Sequence, residues 1–100
     1  MSGKQMYTFS AKLWVYKGYA AWHFVTVPKK IGVAIKGETK GLKRGWGSVP
    51  VIVTIGKTEF KTSIFPDKVS GSYFLPVKAS VRKSEDIEEG DMLTIVLALR

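Results

Sequence analysis

Residues 49–65 read Val-Pro-Val-Ile-Val-Thr-Ile-Gly-Lys-Thr-Glu-Phe-Lys-Thr-Ser-Ile-Phe, and this stretch decides the fold class. Val49, Val51, Val53 and Ile55 recur at every second position, the period of a strand that lays one face on a core. Gly56-Lys57 suits a two-residue hairpin turn with glycine in the first central position, where φ is positive. Thr58 to Phe65 then reads as the return strand. Pro50 has no N–H to give to a ladder, which predicts an edge or a bulge at that point.

Working outward toward the N-terminus, Tyr7, Phe9, Ala11, Leu13 and Val15 alternate with Thr8, Ser10, Lys12, Trp14 and Tyr16, a second half-buried strand. Trp22 to Val27 is aromatic and β-branched, again extended, and pairs with it as a hairpin around Gly18-Tyr19-Ala20. Pro28 changes the period. Its fixed φ suits a first helical position, and Ile31, Ala34 and Ile35 give an amphipathic helix over residues 28–36 that stops at Gly37. Gly32 and Val33 are poor helix formers, so packing must support that helix. The glycine-rich stretch 37–47 is expected as loop.

Toward the C-terminus, Pro66-Asp67 to Gly71-Ser72 is a turn region and Tyr73-Phe74-Leu75 a short strand. A second short helix is expected from Pro76 to Ser84. Met92 to Leu99 is a final strand, apolar at both parities and therefore expected to be central and fully buried. The chain is mainly β: about six strands and two short helices in one domain over residues 1–100, with the sheet closed into a small split or pseudo β-barrel that leaves no unpaired edge. An internal echo aligns Val27-Pro28-Lys29-Lys30 with Leu75-Pro76-Val77-Lys78 and suggests two similar halves.

Composition excludes most chemistry. With 100 residues, 45% of them apolar and 24% charged, the chain can fold around one modest core. It contains no cysteine, which removes disulfides, thiolate metal sites and cysteine nucleophiles. The single histidine, His23, cannot make a pair of imidazole ligands, so no metal or cofactor is expected. No apolar run is long enough for a spanning helix and no signal peptide opens the chain, so a cytoplasmic protein away from membranes is expected. The formal net charge is +8, with five of the eight acidic residues gathered near the C-terminus at Glu85, Asp86, Glu88, Glu89 and Asp91. Such a balance favours anionic partners, and it also serves plain solubility.

Residues 45–66 with residues 73–83 (Tyr-Phe-Leu-Pro-Val-Lys-Ala-Ser-Val-Arg-Lys), Glu89-Gly90-Asp91, Phe9 to Trp14 and Trp22 to Pro28 resemble the bacterial domain of unknown function 1905 family over nearly the whole chain. The resemblance implies a small split β-barrel capped by short helices, similar to the barrels of AbrB-like regulators and MazE-like antitoxins. It transfers no reaction to any residue.

The candidate sites each have a plainer reading. Lys29, Lys30, Lys36, Lys40, Lys43 and Arg44, followed by Trp46, could contact phosphates and stack a base; they also suit a solvated basic loop. Thr62, Ser63, Lys78 and Arg82 make a second candidate anion site if the strand end packs near the helix that carries the two cations; local capping and surface charge are the alternative. His23 lacks a nucleophile elbow and reads as structural. Gly32 and Gly37 have phosphate-loop spacing, but Glu38 stands where lysine belongs. Glu85 to Asp91 misses the ligands of a calcium loop. Trp14, Trp22, Tyr73 and Phe74 are expected in the core or at the barrel mouth. The favoured function is a non-enzymatic binding module for an anionic ligand, nucleic acid among them. The alternatives are an enzyme acting on a small molecule at the barrel mouth through Glu59, Asp67, His23 and Lys78, or a small-molecule-binding protein with its site there, and an accessory protein-interaction module. Oligomeric state is not fixed by the sequence.

Overall fold

The computed structural model describes residues 6–18, 21–40 and 47–100. Strands β1 (Met6–Lys17) and β2 (Ala21–Thr26) precede helix α1 (Lys29–Glu38), and β3 (Val49–Ile55) follows it. Strands β4 (Thr58–Asp67) and β5 (Ser72–Pro76) precede helix α2 (Ala79–Glu85), and β6 (Met92–Leu99) follows. The strands close into a barrel in the order β1-β2-β5-β4-β3-β6, every pair antiparallel. Two strands are long enough to pass from one neighbour to the other along their length. β1 pairs with β6 through Lys12 and with β2 from Leu13 onward, while β4 pairs with β3 through Ile64 and with β5 from Phe65 onward.

The expected mainly β barrel of six strands with two short helices is what the chain forms. Alternation dictates its interior. Leu13, Val25, Val51, Val53, Ile64, Leu75, Ile95 and Leu97 are fully buried, and each such side chain contributes about 1.5–3 kcal/mol by leaving water. The final strand departs from expectation. β6 does lie between β1 and β3, but only its Leu93, Ile95, Leu97 and Leu99 are buried; Met92 is 64% exposed and Val96 half-buried. A barrel wall has one dry face, so apolar residues at the other parity meet water or a helix. Pro50 is likewise not at an edge, since β3 has β4 and β6 on its two sides. The contact with β6 ends there, where the Arg100 amide donates to the Pro50 carbonyl at 3.1 Å, so the missing N–H falls at the final rung.

The two halves of the chain have the same order, strand-strand-helix-strand, and they interlock. The Val27 amide donates to the Tyr73 carbonyl and the Val77 amide donates to the His23 carbonyl, both at 2.9 Å. These reciprocal bonds make Val27 equivalent to Val77, two residues out of step with the alignment suggested by the Val-Pro and Leu-Pro dipeptides. Because β2 and β5 run antiparallel, the helices that follow them cap opposite ends of the barrel.

At one end, α1 runs through Gly37 rather than stopping there and ends where Thr39 donates its hydroxyl to the Ile35 carbonyl at 2.8 Å. Gly32 brings this helix against Ser72 of β5. At the other end, the Glu85 carboxylate of α2 accepts from the Lys57 amide at 3.2 Å and from the Thr58 hydroxyl at 2.6 Å, clasping the β3–β4 hairpin. Gly56, at φ +60°, supplies the backbone turn that the hairpin requires. Among the described residues, no helix is long and apolar enough to cross a membrane.

Candidate functional site

Strand alternation that fills the barrel with aliphatic side chains also fixes what stands outside. On β1, Leu13 and Val25 of β2 pair on the inner face, so the next pair, Trp14 with Phe24, faces outward, and Tyr16 with Trp22 follows two residues on. On β5 and β4, Phe74 pairs with Phe65 on the same outer surface. The result is a ladder of rings across four strands. Trp14 and Phe24 have centroids 5.1 Å apart, Phe24 and Phe74 4.7 Å, and Phe74 and Phe65 5.7 Å. Trp22 extends it, stacked on Phe24 at 6.1 Å with planes 13° apart. The internal symmetry shows here too: Trp14 corresponds to Phe65 and Phe24 to Phe74.

These distances lie in the range where ring pairs gain about 0.5–1.5 kcal/mol beyond burial, so the ladder holds its own shape. Trp14 is fixed further by donating its indole N–H to the Thr26 hydroxyl at 3.0 Å. Yet the surface remains wet, with Tyr16 58% and Trp22 56% exposed. A groove of about 270 Å³ runs along it, lined by Trp14, Tyr16, Phe24, Phe74 and Asp67. Asp67 is the one charged group of that lining. Its Oδ1 accepts the Val69 amide at 3.2 Å, which holds the carboxylate at the start of the β4–β5 turn. The outer wall of the barrel thus carries a contiguous apolar face.

Charge is distributed unequally between the barrel ends. The α1 end carries Lys29, Lys30, Lys36 and Lys40, with Lys68 on the β4–β5 turn and Arg100 beyond β6, against Glu38 and Asp67. The α2 end balances Lys12, Lys17, Lys57, Lys78, Arg82 and Lys83 against Glu59, Glu85, Asp86, Glu88, Glu89 and Asp91. Lys29, Lys30, Lys36 and Lys40 are all exposed. Lys43, Arg44 and Trp46 lie outside the described residues. The groove and the basic end adjoin: the Lys29 side chain lies over Gly71, in the turn that Asp67 opens.

The second set of anion-site residues does not converge. Thr62 pairs with buried Val51 and Ser63 with Pro50, so the two hydroxyls take opposite faces of β4. They stand four and five residues along the strand from the Thr58 contact with α2, roughly 13–16 Å at strand rise. Arg82 is turned onto the barrel end, where its Nε donates to the Val77 carbonyl at 3.1 Å and its Nη1 meets His23 Nε2 at 3.3 Å. Lys78 is the exposed residue at the start of α2. Of the residues named for catalysis, Asp67 belongs to the α1 end, whereas His23, Glu59 and Lys78 belong to the α2 end. Among the described residues, no group of three or more His, Asp or Glu could hold a metal ion.

Tyr73 is in the core as expected, but Trp14, Phe74 and the more exposed Trp22 are on the outer wall rather than inside. The signal was present in the alternation, which sets Trp14 and Tyr16 opposite Leu13; the presumption that large rings belong inside concealed it. Two tyrosines near the α1 end hold their protons above the ordinary range. Burial raises Tyr7, reinforced by the Glu38 carboxylate, and burial raises Tyr73 against an opposing hydrogen bond with Thr39.

No curated protein matches the chain in sequence. A family model matches residues 9–97, nearly the entire length, including all of β2 to β5, both helices and the aromatic ladder. The chain therefore belongs to the family described as domain of unknown function DUF1905.

Proposed function

We propose that the protein is a non-enzymatic binding module that holds an anionic ligand, nucleic acid foremost, against the α1 end of its barrel. The observation that carries this reading is the separation of charge: cations outnumber carboxylates at the α1 end, while the α2 end is balanced. Lys29 and Lys36 are seven residues apart on α1 and so share a stripe, with Lys40 continuing it past the helix end. Flexible ammonium groups on such a stripe suit phosphates, whose recognition demands charge more than fixed geometry. An enzyme reading has less support, because Asp67 is distant from the other three residues it requires.

Fluorescence anisotropy with labelled DNA and RNA at several salt concentrations tests the proposal. Affinity should fall steeply as salt rises. Replacing Lys29, Lys30, Lys36 and Lys40 together with glutamine should reduce the salt slope by about three to four, roughly one for each phosphate no longer neutralised. The pair Lys78→Gln and Lys83→Gln, at the balanced end, should leave that slope in place. Affinity weaker than millimolar at low salt, or affinity indifferent to salt, overturns the reading.

A further inference from the structure

We propose that the outer aromatic groove receives the unstacked bases of a single strand, and that Asp67 selects bases presenting an amine. This inference rests on the anionic-ligand reading and names the class of nucleic acid that reading leaves open.

The rings come first. Trp14, Phe24, Phe74 and Phe65 form a continuous ladder with centroid spacings of 4.7–5.7 Å, and Tyr16 and Trp22 expose more than half their surface beside it. Every base has a π-face, so rings of this kind bind bases without regard to sequence. In a duplex those faces are covered by neighbouring pairs, and a platform on a convex barrel wall reaches only bases that are splayed out. The groove of about 270 Å³ between Trp14, Tyr16, Phe24 and Phe74 is closed at one side by Asp67.

Charge decides the occupant. An apolar groove alone would suit many partners, but this one belongs to a chain of net charge +8, and its Asp67 side adjoins the turn that Lys29 overlies. The β4–β5 turn that begins at Asp67 carries Lys68 and is overlain by Lys29. A strand whose base lies in the groove would have its neighbouring phosphates beside those two cations. Rings for the bases and cations for the backbone is the combination that single-strand binders use.

Asp67 adds discrimination. A carboxylate accepts hydrogen bonds and repels carbonyl oxygens. It therefore favours the exocyclic amine of cytosine over the carbonyl that thymine presents at the same ring position. Its Oδ1 is occupied by the Val69 amide, so an asparagine at this site keeps the turn through its own carbonyl oxygen while losing the charge.

The experiment compares a labelled cytosine homopolymer, a thymine homopolymer and a duplex of mixed sequence on the intact chain, read by anisotropy and by tryptophan fluorescence. Cytosine should bind about fivefold or more tighter than thymine, the duplex should bind weakest, and single strands should quench tryptophan emission. Tyr16→Ala, at an exposed position that leaves the core intact, should weaken single-strand binding about tenfold without changing the salt slope. Asp67→Asn should abolish the preference for cytosine while a thermal melt stays unchanged.

Equal binding of duplex and single strand, sensitive to the α1 lysines and indifferent to Tyr16→Ala, overturns the groove inference and leaves the anionic reading standing. Cytosine binding and quenching that persist at high salt and in the lysine variant do the reverse. A dimer in gel filtration that Tyr16→Ala dissolves assigns the face to a second copy of the chain and also overturns the inference.

Discussion

Gly32 and Gly37 stand five residues apart on α1 and meet opposite surroundings. A Cβ on Gly32 would fall 2.8 Å from the Cβ and 3.1 Å from the Cα of buried Ser72, so the backbone of β5 would have to move. A Cβ on Gly37 meets nothing within 4 Å. Gly32→Ala should therefore destabilise the protein by about 1–3 kcal/mol through overpacking. Gly37→Ala should stabilise it by up to about 1 kcal/mol through helix propensity. Urea unfolding midpoints of the two variants check both, and a Gly32→Ala protein as stable as wild type would refute the close approach. The sequence marks Gly32 as a poor helix former and Gly37 as the helix stop. It cannot say which of them a strand forty residues away presses against.

Secondary-structure elements were readable because each carries its own period: two in Tyr7 to Lys17, two again in Val49 to Ile55, and a helical spacing after Pro28. What joins them was not readable. Helix α2 has seven residues and no side-chain cap at its start, too short to be stable alone. The Glu85 carboxylate makes it part of the fold by taking the Lys57 amide and the Thr58 hydroxyl from a hairpin 27–28 residues earlier. Nothing in the Ser-Glu-Asp run distinguishes that glutamate from its solvated neighbours. Glu85→Ala should cost about 1–2 kcal/mol, the worth of hydrogen bonds to a charged acceptor at a partly wet site. A double-mutant cycle with Thr58→Val should show the two losses to be coupled. Strict additivity would mean that the carboxylate acts elsewhere.

Taken whole, the molecule is two copies of one pattern, and its symmetry explains which parts of the aromatic surface and the core could be anticipated. The dipeptide echo pointed to a repeat but set it two residues out of register, because the prolines at 28 and 76 are not the equivalent positions; Val27 and Val77 are. Equivalent positions have diverged in chemistry, His23 facing α2 where Tyr73 lies beneath α1. That divergence leaves the α1 end with the tyrosines. A tyrosine whose folded pKa is raised keeps its proton where the unfolded chain has lost it. The stability this contributes is whole below the unfolded value near 10 and drains as pH climbs through the folded one. Global stability should therefore decline above about pH 10, and Tyr73→Phe should flatten that decline relative to wild type in the same range. Identical slopes in the two proteins would exclude Tyr73 as a contributor.

Strand β6 is made after the other five strands, and it is the piece that completes the cylinder between β1 and β3. Until residue 99 is available, the opening strand has one flank of amide and carbonyl groups facing water, with no local partner to cover it. Maturation during synthesis is thus a waiting process, governed by the meeting of segments 80 to 92 residues apart rather than by their individual preferences. A ribosome stalled before that point would display an open, adhesive sheet of the kind that chaperones recognise.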